Sequence, residues 1–326
     1  MNVTVILCTY NRAATLRKAL ESVAKSVVPE SIDWEVLVVD NNSRDRTRET
    51  IEEFCALYPR RFRYLFEAAQ GKSHALNSGI RATVAEILAF MDDDVEIDCY
   101  WLHTLTSVFS RGPWTGAGGR IRAEEGFVPP PWMETHGRYA LAPLAFFDLG
   151  PDAGETKEAP FGTNMAFKRD VFKKYGGFRT DLGPQPGSEI RNEDTEFGER
   201  LLAAGERFWY EPSALVYHSV PRERIRKSYF LRWWFDKARA EVRQEGIPQR
   251  SRLYVAGVPL FLFRSLGAWT FRWMLSFNPG KRFSAKLNVW KIAGTMQECR
   301  RMSKITKPIA PGAQAVSTIQ GSSREG

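Results

Sequence analysis

Apolar positions in the first hundred residues switch repeatedly between two periods. The run "VTVIL" (3–7) is continuous, short and β-branched, as in a buried strand. Leu16, Ala19, Leu20 and Val23 then recur at helical spacing. "WEVLVVD" (34–40) is a second buried run, and Ile51, Phe54 and Tyr58 mark one face of a helix over 47–58. "RYLF" (63–66) follows as a third strand. A helix over 73–83 turns Leu76 and Ile80 inward, and "EILAFM" (86–91) is a fourth strand, closed by three adjacent aspartates. Continuous apolar strands alternating with amphipathic helices predict an α/β fold, a mostly parallel central sheet with helices on both faces. Ligands of such sheets bind beyond the carboxyl ends of the strands. Thr9 to Arg12, Asp40 and Asp92 to Asp94 all follow strands, so they are predicted to meet at one edge.

The pattern loosens in the middle of the chain. "GFVPPPW" (126–132) is a stiff proline-rich loop, and residues 150–164 read as a polar loop. Helices are predicted near 169–175 and 195–204, then "RFWYEPSALVYH" as strand, turn and strand ending at His218. The last residues, 306–326, lack apolar periodicity and read as disordered. Three parts are expected: a sheet domain over 1–219, a helical, basic and aromatic extension over 220–305, and the tail 306–326. There is no internal repeat. Within the extension, residues 254–277 are the most apolar stretch, interrupted by Pro259, Arg264 and Arg272. A spanning helix needs about 20 mostly apolar residues, and two arginines make a simple span costly. Trp269, Trp273 and flanking cations suit a helix lying in the membrane interface. The alternative is a buried helix of the fold. The interfacial reading predicts a cytoplasmic protein held peripherally at the cytoplasmic membrane face.

Composition narrows the chemistry. With 43% hydrophobic residues the chain can build a core, and its net charge of +8 suits anionic partners. The four cysteines are scattered without Cys-x-x-Cys spacing, which argues against a zinc site or disulfide framework. The opening "MNVTVILCTYNR" has no signal-peptide pattern. Neither Gly-x-Gly-x-x-Gly after the first strand nor a P-loop occurs. Aspartates at the mouth of a parallel sheet suit Mg²⁺ or Mn²⁺. If the segment stays extended, Asp92 and Asp94 share one side and Asp93 points away. Tyr10 offers a ring to a base, Asp40 can accept the imide hydrogen of a uracil, and Arg12 and Lys72 can approach phosphates. Lys72 and Asn77 lie near a helix N-terminus, which favours anions. Glu193 and Asp194 stand just before an amphipathic helix, as caps or as a general base. His218, beyond a strand end, could give a nitrogen to the same metal. The cations at 222, 224, 226, 227 and 232, ahead of Trp233 and Trp234, read as a solvated helix face packed on the sheet domain. Nucleic acid is not expected, because the crevice already accounts for a phosphate-rich ligand.

Six stretches occur in order over Val3 to His218: "VILCTYNR", "VVDNNSRDRT", "QGKSHALNSGI", "FMDDDV", "FGTNMAFKRD" and "EDTEFGERLLAAG". Together they resemble the family 2 glycosyltransferases, inverting enzymes of the GT-A fold. The resemblance implies that Thr9, Tyr10, Arg12 and Asp40 hold the nucleoside of a nucleotide sugar, with Lys72 and Asn77 beside its phosphates or ribose. It implies that Asp92 faces the ribose and Asp94 the metal, the triple aspartate with Asp93 being the family's Asp-x-Asp element. Gly162, Thr163 and Asn164 would line the donor-sugar and acceptor pocket. Asp194 would be the base, with Glu193 beside it, and His218 a further metal ligand. The reaction implied is metal-dependent transfer of a sugar, with inversion, from a nucleotide-diphospho-sugar to a hydroxyl of a glycan or lipid-linked acceptor. Polysaccharide or glycoconjugate assembly is the expected setting, with Mn²⁺ or Mg²⁺ as cofactor and a UDP-sugar favoured. Two rivals are a sugar-phosphate nucleotidyltransferase and a non-catalytic carbohydrate-binding protein on the same fold. The first lacks its glycine-rich basic opening here, and the intact carboxylates speak against the second.

Overall fold

The structure is a computed structural model that describes residues 1–133, 141–250 and 253–305. The first part of the chain alternates as its apolar pattern predicts: β1 (Asn2–Thr9), α1 (Ala13–Ala24), β2 (Asp33–Asp40), α2 (Thr47–Leu57), β3 (Phe62–Phe66), α3 (Lys72–Arg81) and β4 (Ile87–Asp92). Then come β5 (Val95–Ile97), α4 (Trp101–Arg111), β6 (Gly116–Ala123), β7 (Gly154–Thr156), β8 (Met165–Lys168), α5 (Asp170–Tyr175), α6 (Glu193–Ala203) and β9 (Phe208–His218). After the sheet lie α7 (Lys227–Glu245), a small hairpin of β10 (Tyr254–Val255) and β11 (Val258–Pro259), α8 (Leu260–Leu275) and α9 (Pro279–Ile305).

Nine strands form one sheet in the order β3-β2-β1-β4-β8-β6-β9-β5, with β7 on β9. The β3-β2-β1-β4 half is parallel throughout. Beyond β4, β8 runs antiparallel to both its neighbours, and β6 and β9 pair in parallel. Both faces are covered, which explains the continuous apolar strands. Val3, Val5 and Leu7 of β1 pack on one face with Leu16, Leu20, Ile51 and Trp101. Ile6 packs on the other with Leu76, Phe90, Phe167 and Phe197. In that second layer Phe172 and Phe197 stack with ring centroids 4.7 Å apart.

Residues 207–218 are predicted as two strands around a turn, but Phe208–His218 form a single strand, β9. The expected turn survives as a register shift against β6: Gly119 pairs with Glu211, and Arg120 with Leu215. Gly119 has no alternative there, because a Cβ would lie 2.0 Å from the Ala214 carbonyl oxygen. The polar stretch 150–164 also contains β7, which pairs with β9. The tail 306–326 lies outside the described residues.

The helices after the sheet are held largely by each other. A Cβ at Gly294 of α9 would lie 2.2 Å from the Phe235 carbonyl oxygen of α7, so the two helices cross in close contact. The fully buried Glu298 carboxylate accepts from Arg239 at 3.2 Å and Arg243 at 2.7 Å across that crossing. α8 rests outside on α9 and buries only Leu262 completely, so the core-helix alternative is not what the chain adopts. Among the described residues, no helix is long and apolar enough to cross a membrane.

Candidate active site

The crevice is built at the carboxyl ends of β1, β2 and β4. β4 ends at Asp92, and Asp93 and Asp94 turn the chain into β5. The turn cancels the alternation expected of an extended segment. Asp93 therefore does not point away: all three carboxylates line one cavity of about 300 Å³, with Thr9, Tyr10, Arg12, Lys72, His218 and Arg224. Three adjacent carboxylates coexist because each meets a cation. Lys72 Nζ donates to Asp92 at 2.7 Å. Arg12 donates to Asp93 at 2.9 Å and to Asp94 at 3.0 Å. Arg224 donates to Asp94 at 2.9 Å. Hydroxyls complete the set, with Thr163 donating to Asp92 at 2.8 Å and Thr9 to Asp93 at 2.7 Å.

The three carboxyls are pushed apart electrostatically. Burial works against the charge of Asp92, but the Lys72 ammonium outweighs it and holds the group below its ordinary value. Burial prevails at Asp93 and, with the Asp94 charge, raises it to about 6 despite Arg12. Burial is overcome most strongly at Asp94, where His218, Arg224 and Arg12 hold it far below the usual carboxylate range. Lys72 is pushed up, since Asp92, Glu193 and Asp194 outweigh its burial.

His218, 2% exposed at the end of β9, puts Nε2 at 3.4 Å from an Asp94 oxygen and 3.1 Å from Arg224. Its Nδ1 is buried without a hydrogen-bond partner. The histidine nitrogen and the carboxylate thus converge on one point, held by the Arg224 guanidinium. A divalent cation fits the same donor pair, one oxygen and one imidazole. Among the described residues no group of three or more such side chains could hold a metal by itself. The pair is sufficient where substrate phosphates give the remaining oxygens, as Mg²⁺ sites usually arrange.

A second cavity of about 330 Å³ adjoins the first, and Lys72, Asp92 and Arg224 line both. Its far wall is α7, through Tyr229, Trp233, Trp234, Lys237 and Glu241. Its near wall carries Glu193 and Asp194, the first two residues of α6. One Asp194 oxygen accepts the Gly162 N–H at 2.7 Å, and the other accepts the Thr195 N–H at 2.7 Å. Glu193 is 4% exposed, and burial raises its carboxyl despite Lys72 Nζ at 3.6 Å.

The family model described as "Glycosyl transferase family 2" matches residues 4–176, more than half of the chain. The chain belongs to glycosyl transferase family 2. The succinoglycan biosynthesis protein ExoM of Rhizobium meliloti is 26% identical over 266 residues, which cover 79% of this chain and 81% of that protein. A glucosyl-dolichyl phosphate glucuronosyltransferase of Haloferax volcanii is 28% identical over 233 residues, 68% of this chain and 70% of that one. Among solved structures, the Pyrobaculum calidifontis mannosyltransferase in complex with GDP-Man and Mn²⁺ superposes with a TM-score of 0.54 at 20% identity. That match covers 94% of this chain and 75% of that chain. GalNAc-T7 with UDP, GalNAc and Mn²⁺ gives a TM-score of 0.57 at 16% identity, over 94% of this chain and 58% of that one. These likenesses establish the GT-A fold.

Within this family 2 chain the candidate residues divide into those at the crevice and those behind it. Thr9, Tyr10, Arg12, Lys72, Asp92, Asp93, Asp94 and His218 line the first cavity, and Glu193 and Asp194 the second. Gly162 and Thr163 act through their bonds to Asp194 and Asp92. Asp40 is placed beneath the crevice, its carboxylate accepting the Ser43 N–H at 2.9 Å and the Tyr64 hydroxyl at 3.2 Å. Asn77 lies away from both cavities; its side chain donates to the Phe178 carbonyl and accepts the Phe178 N–H. Asn164 is fully buried. It accepts from Trp101 Nε1 at 2.8 Å and donates to the carbonyls of Arg120 and Ala214. Asn41, legible in the sequence only as a turn residue after β2, was not among the site candidates. Its amide accepts the Gly71 N–H and donates to the Glu67 and Ala69 carbonyls, which fixes the loop that presents Lys72. Arg224, Trp233 and Trp234 are not a solvated helix face: they are walls of the site.

Proposed function

We propose that this family 2 transferase moves a sugar, with inversion and with a divalent cation, from a nucleotide-diphospho-sugar to a hydroxyl of a glycan or lipid-linked acceptor. The observation that carries the reading is the pair of adjoining cavities with Asp194 on the wall of one and the three aspartates in the other. The first cavity suits the donor: the Tyr10 ring is exposed to a base, and Arg12, Lys72 and Arg224 offer charge to phosphates. Among the bases, uracil is favoured by the family resemblance and by Asp40, which lies beneath the crevice with oxygens that already accept two hydrogen bonds. The second cavity suits the acceptor, with tryptophan faces and polar groups such as Lys237 and Glu241.

In this reading the Gly162 N–H holds the Asp194 carboxylate toward the acceptor, and Asp194 takes the proton of the attacking hydroxyl. Burial raises the carboxyl of neighbouring Glu193, whereas both Asp194 oxygens are oriented at the acceptor cavity by backbone N–H donors. Attack from the cavity opposite the leaving group gives inversion. Mn²⁺ or Mg²⁺, bound at Asp94 and His218, would neutralise charge on the departing diphosphate. Lys72 stays charged between the cavities and stabilises the same developing charge.

The test is nucleoside diphosphate release from UDP-, GDP- and dTDP-sugars with Mn²⁺ or Mg²⁺, repeated with EDTA. Metal-dependent release from one donor is the expected result. Donor binding by calorimetry with no turnover alongside any glycan or lipid-linked acceptor would leave only a carbohydrate-binding role. Pyrophosphate as the product would instead mean nucleotidyl transfer.

A further inference from the structure

The helices beyond the sheet carry a surface that catalysis does not use. α8 shows solvent a stripe at i, i+4 spacing, Phe263, Gly267, Phe271 and Leu275, with Met274 beside it. Phe271 is 64% exposed, Met274 70% and Phe277, just past the helix, 97%. Tyr254 and Val255, in the hairpin leading into α8, are exposed as well. Contiguous exposed aromatic and aliphatic side chains of this size mark a contact surface.

Charge identifies the occupant. From Gly246 to Gln297 the chain has no aspartate or glutamate, while Arg250, Arg252, Arg264, Arg272, Lys281, Arg282, Lys286 and Lys291 are all cations. Arg264, Arg272, Lys281 and Arg282 are exposed beside the apolar stripe or just past its end. Two tryptophans flank it under cations, Trp269 below Arg272 at 4.9 Å and Trp273 below Lys286 at 5.2 Å. A second copy of the chain docking through the same face would press these cations against their own kind. An anionic bilayer instead supplies the missing negative charge and an apolar phase for the phenylalanines, and interfacial tryptophans favour that boundary.

We infer that the exposed face of α8, from Phe263 to Phe277, docks on the surface of an anionic lipid bilayer, with the helix lying in the interface rather than across it. α8 rests on α9, and α9 is crossed by α7, which walls the second cavity, so docking holds that cavity at a fixed position relative to the lipid. The inference is independent of the transfer reaction.

Flotation of the full-length protein with vesicles tests it. One set contains phosphatidylcholine alone and one is mixed with phosphatidylglycerol. Recovery with the anionic vesicles should exceed that with the neutral ones at least about tenfold and fall with added salt, since each cation near the surface contributes about fivefold. The variant Phe271→Ser/Met274→Ser/Phe277→Ser should float at least about tenfold less while keeping the wild-type circular dichroism spectrum and sugar-transfer activity on a water-soluble acceptor. Arg264→Gln/Arg272→Gln should reduce only the anionic preference. Recovery of wild-type protein in the lipid-free fraction with both vesicle types would overturn the inference, as would undiminished flotation of the serine variant. A lipid-free dimer by light scattering that the serine variant dissociates would assign the face to a second copy instead.

Discussion

At the scale of single residues, the site depends on which side chains reach the cavities and which only hold them. Asp194 reaches one, so Asp194→Asn should lower transfer about 10²- to 10⁴-fold, as for loss of a general base. Donor binding by calorimetry should be unchanged, since the first cavity is lined without Asp194. Full activity in that variant would remove Asp194 from the mechanism. Asn164 follows Gly162 and Thr163 in one glycine-threonine-asparagine sequence and, like them, holds rather than reaches. Its truncation to alanine strands the Trp101 N–H and the Arg120 and Ala214 carbonyls, all inside the fold. Each buried group left unpaired costs about 1–3 kcal/mol, so urea unfolding should lose about 3 kcal/mol or more. A purely kinetic defect at wild-type stability would instead return Asn164 to the binding site. That role was not legible in the sequence, because the motif is read as a pocket segment and only the packing of α4 against the sheet turns Asn164 inward.

At the scale of elements, α7 belongs to the site through α9. The crossing at Gly294 leaves no room for a side chain on the Phe235 backbone. Overpacking of this kind costs about 1–3 kcal/mol, so Gly294→Val should lower the melting temperature and loosen α7 together with the Trp233 and Trp234 wall. Glu298 provides a pH test of the same crossing. Burial opposes its charge, but Arg243 and Arg301 outweigh it and hold the carboxyl below its ordinary value. A depressed folded value means that the stabilisation is present above the unfolded carboxylate value, about 4.3, and is lost as pH falls through the folded one. Hydrogen exchange in α7 and α9 should therefore rise below about pH 4 before the sheet opens. In Glu298→Gln the acid step should vanish, with stability lower at neutral pH because Arg239 and Arg243 lose their buried partner. The alternating β1–β4 half was readable because each strand and helix there has its own apolar period. β6 and β8 were not, since "GAGGRIRA" has little apolar character and "MAFK" is four residues long. β6 earns its place from close approach: Gly116 faces Phe208 and Phe167, and Gly119 faces Ala214.

At the scale of the whole molecule, the proposed cation position is assembled from distant segments. Asp94 follows β4, His218 ends β9, and Arg224 comes from the loop after it. Arg224 and a divalent cation seek the same two partners, so Arg224→Ala should bind Mn²⁺ about tenfold more tightly in the absence of donor, by electron paramagnetic resonance titration. Unchanged Mn²⁺ affinity would place the ion elsewhere. Where donor and ion share the cavity, each must strengthen the other by the same factor, which calorimetry in both orders can check.

The sequence by itself determined the sheet half with its strand ends, the three aspartates at the mouth, the acidic pair at the start of α6 and the basic, aromatic segment beyond His218. Those features are local: apolar periods, turn residues and neighbouring charges are written in consecutive positions. Tertiary structure decided what the local pattern leaves open. It turned Asp93 into the cavity by a tight turn, and it fixed Asn77 and Asn164 in structural hydrogen bonds. It brought α7 across the chain to close the second cavity, and it left the face of α8 uncovered. Each of those outcomes depends on contacts between residues far apart in sequence, where the direction of a side chain is set by what packs against it.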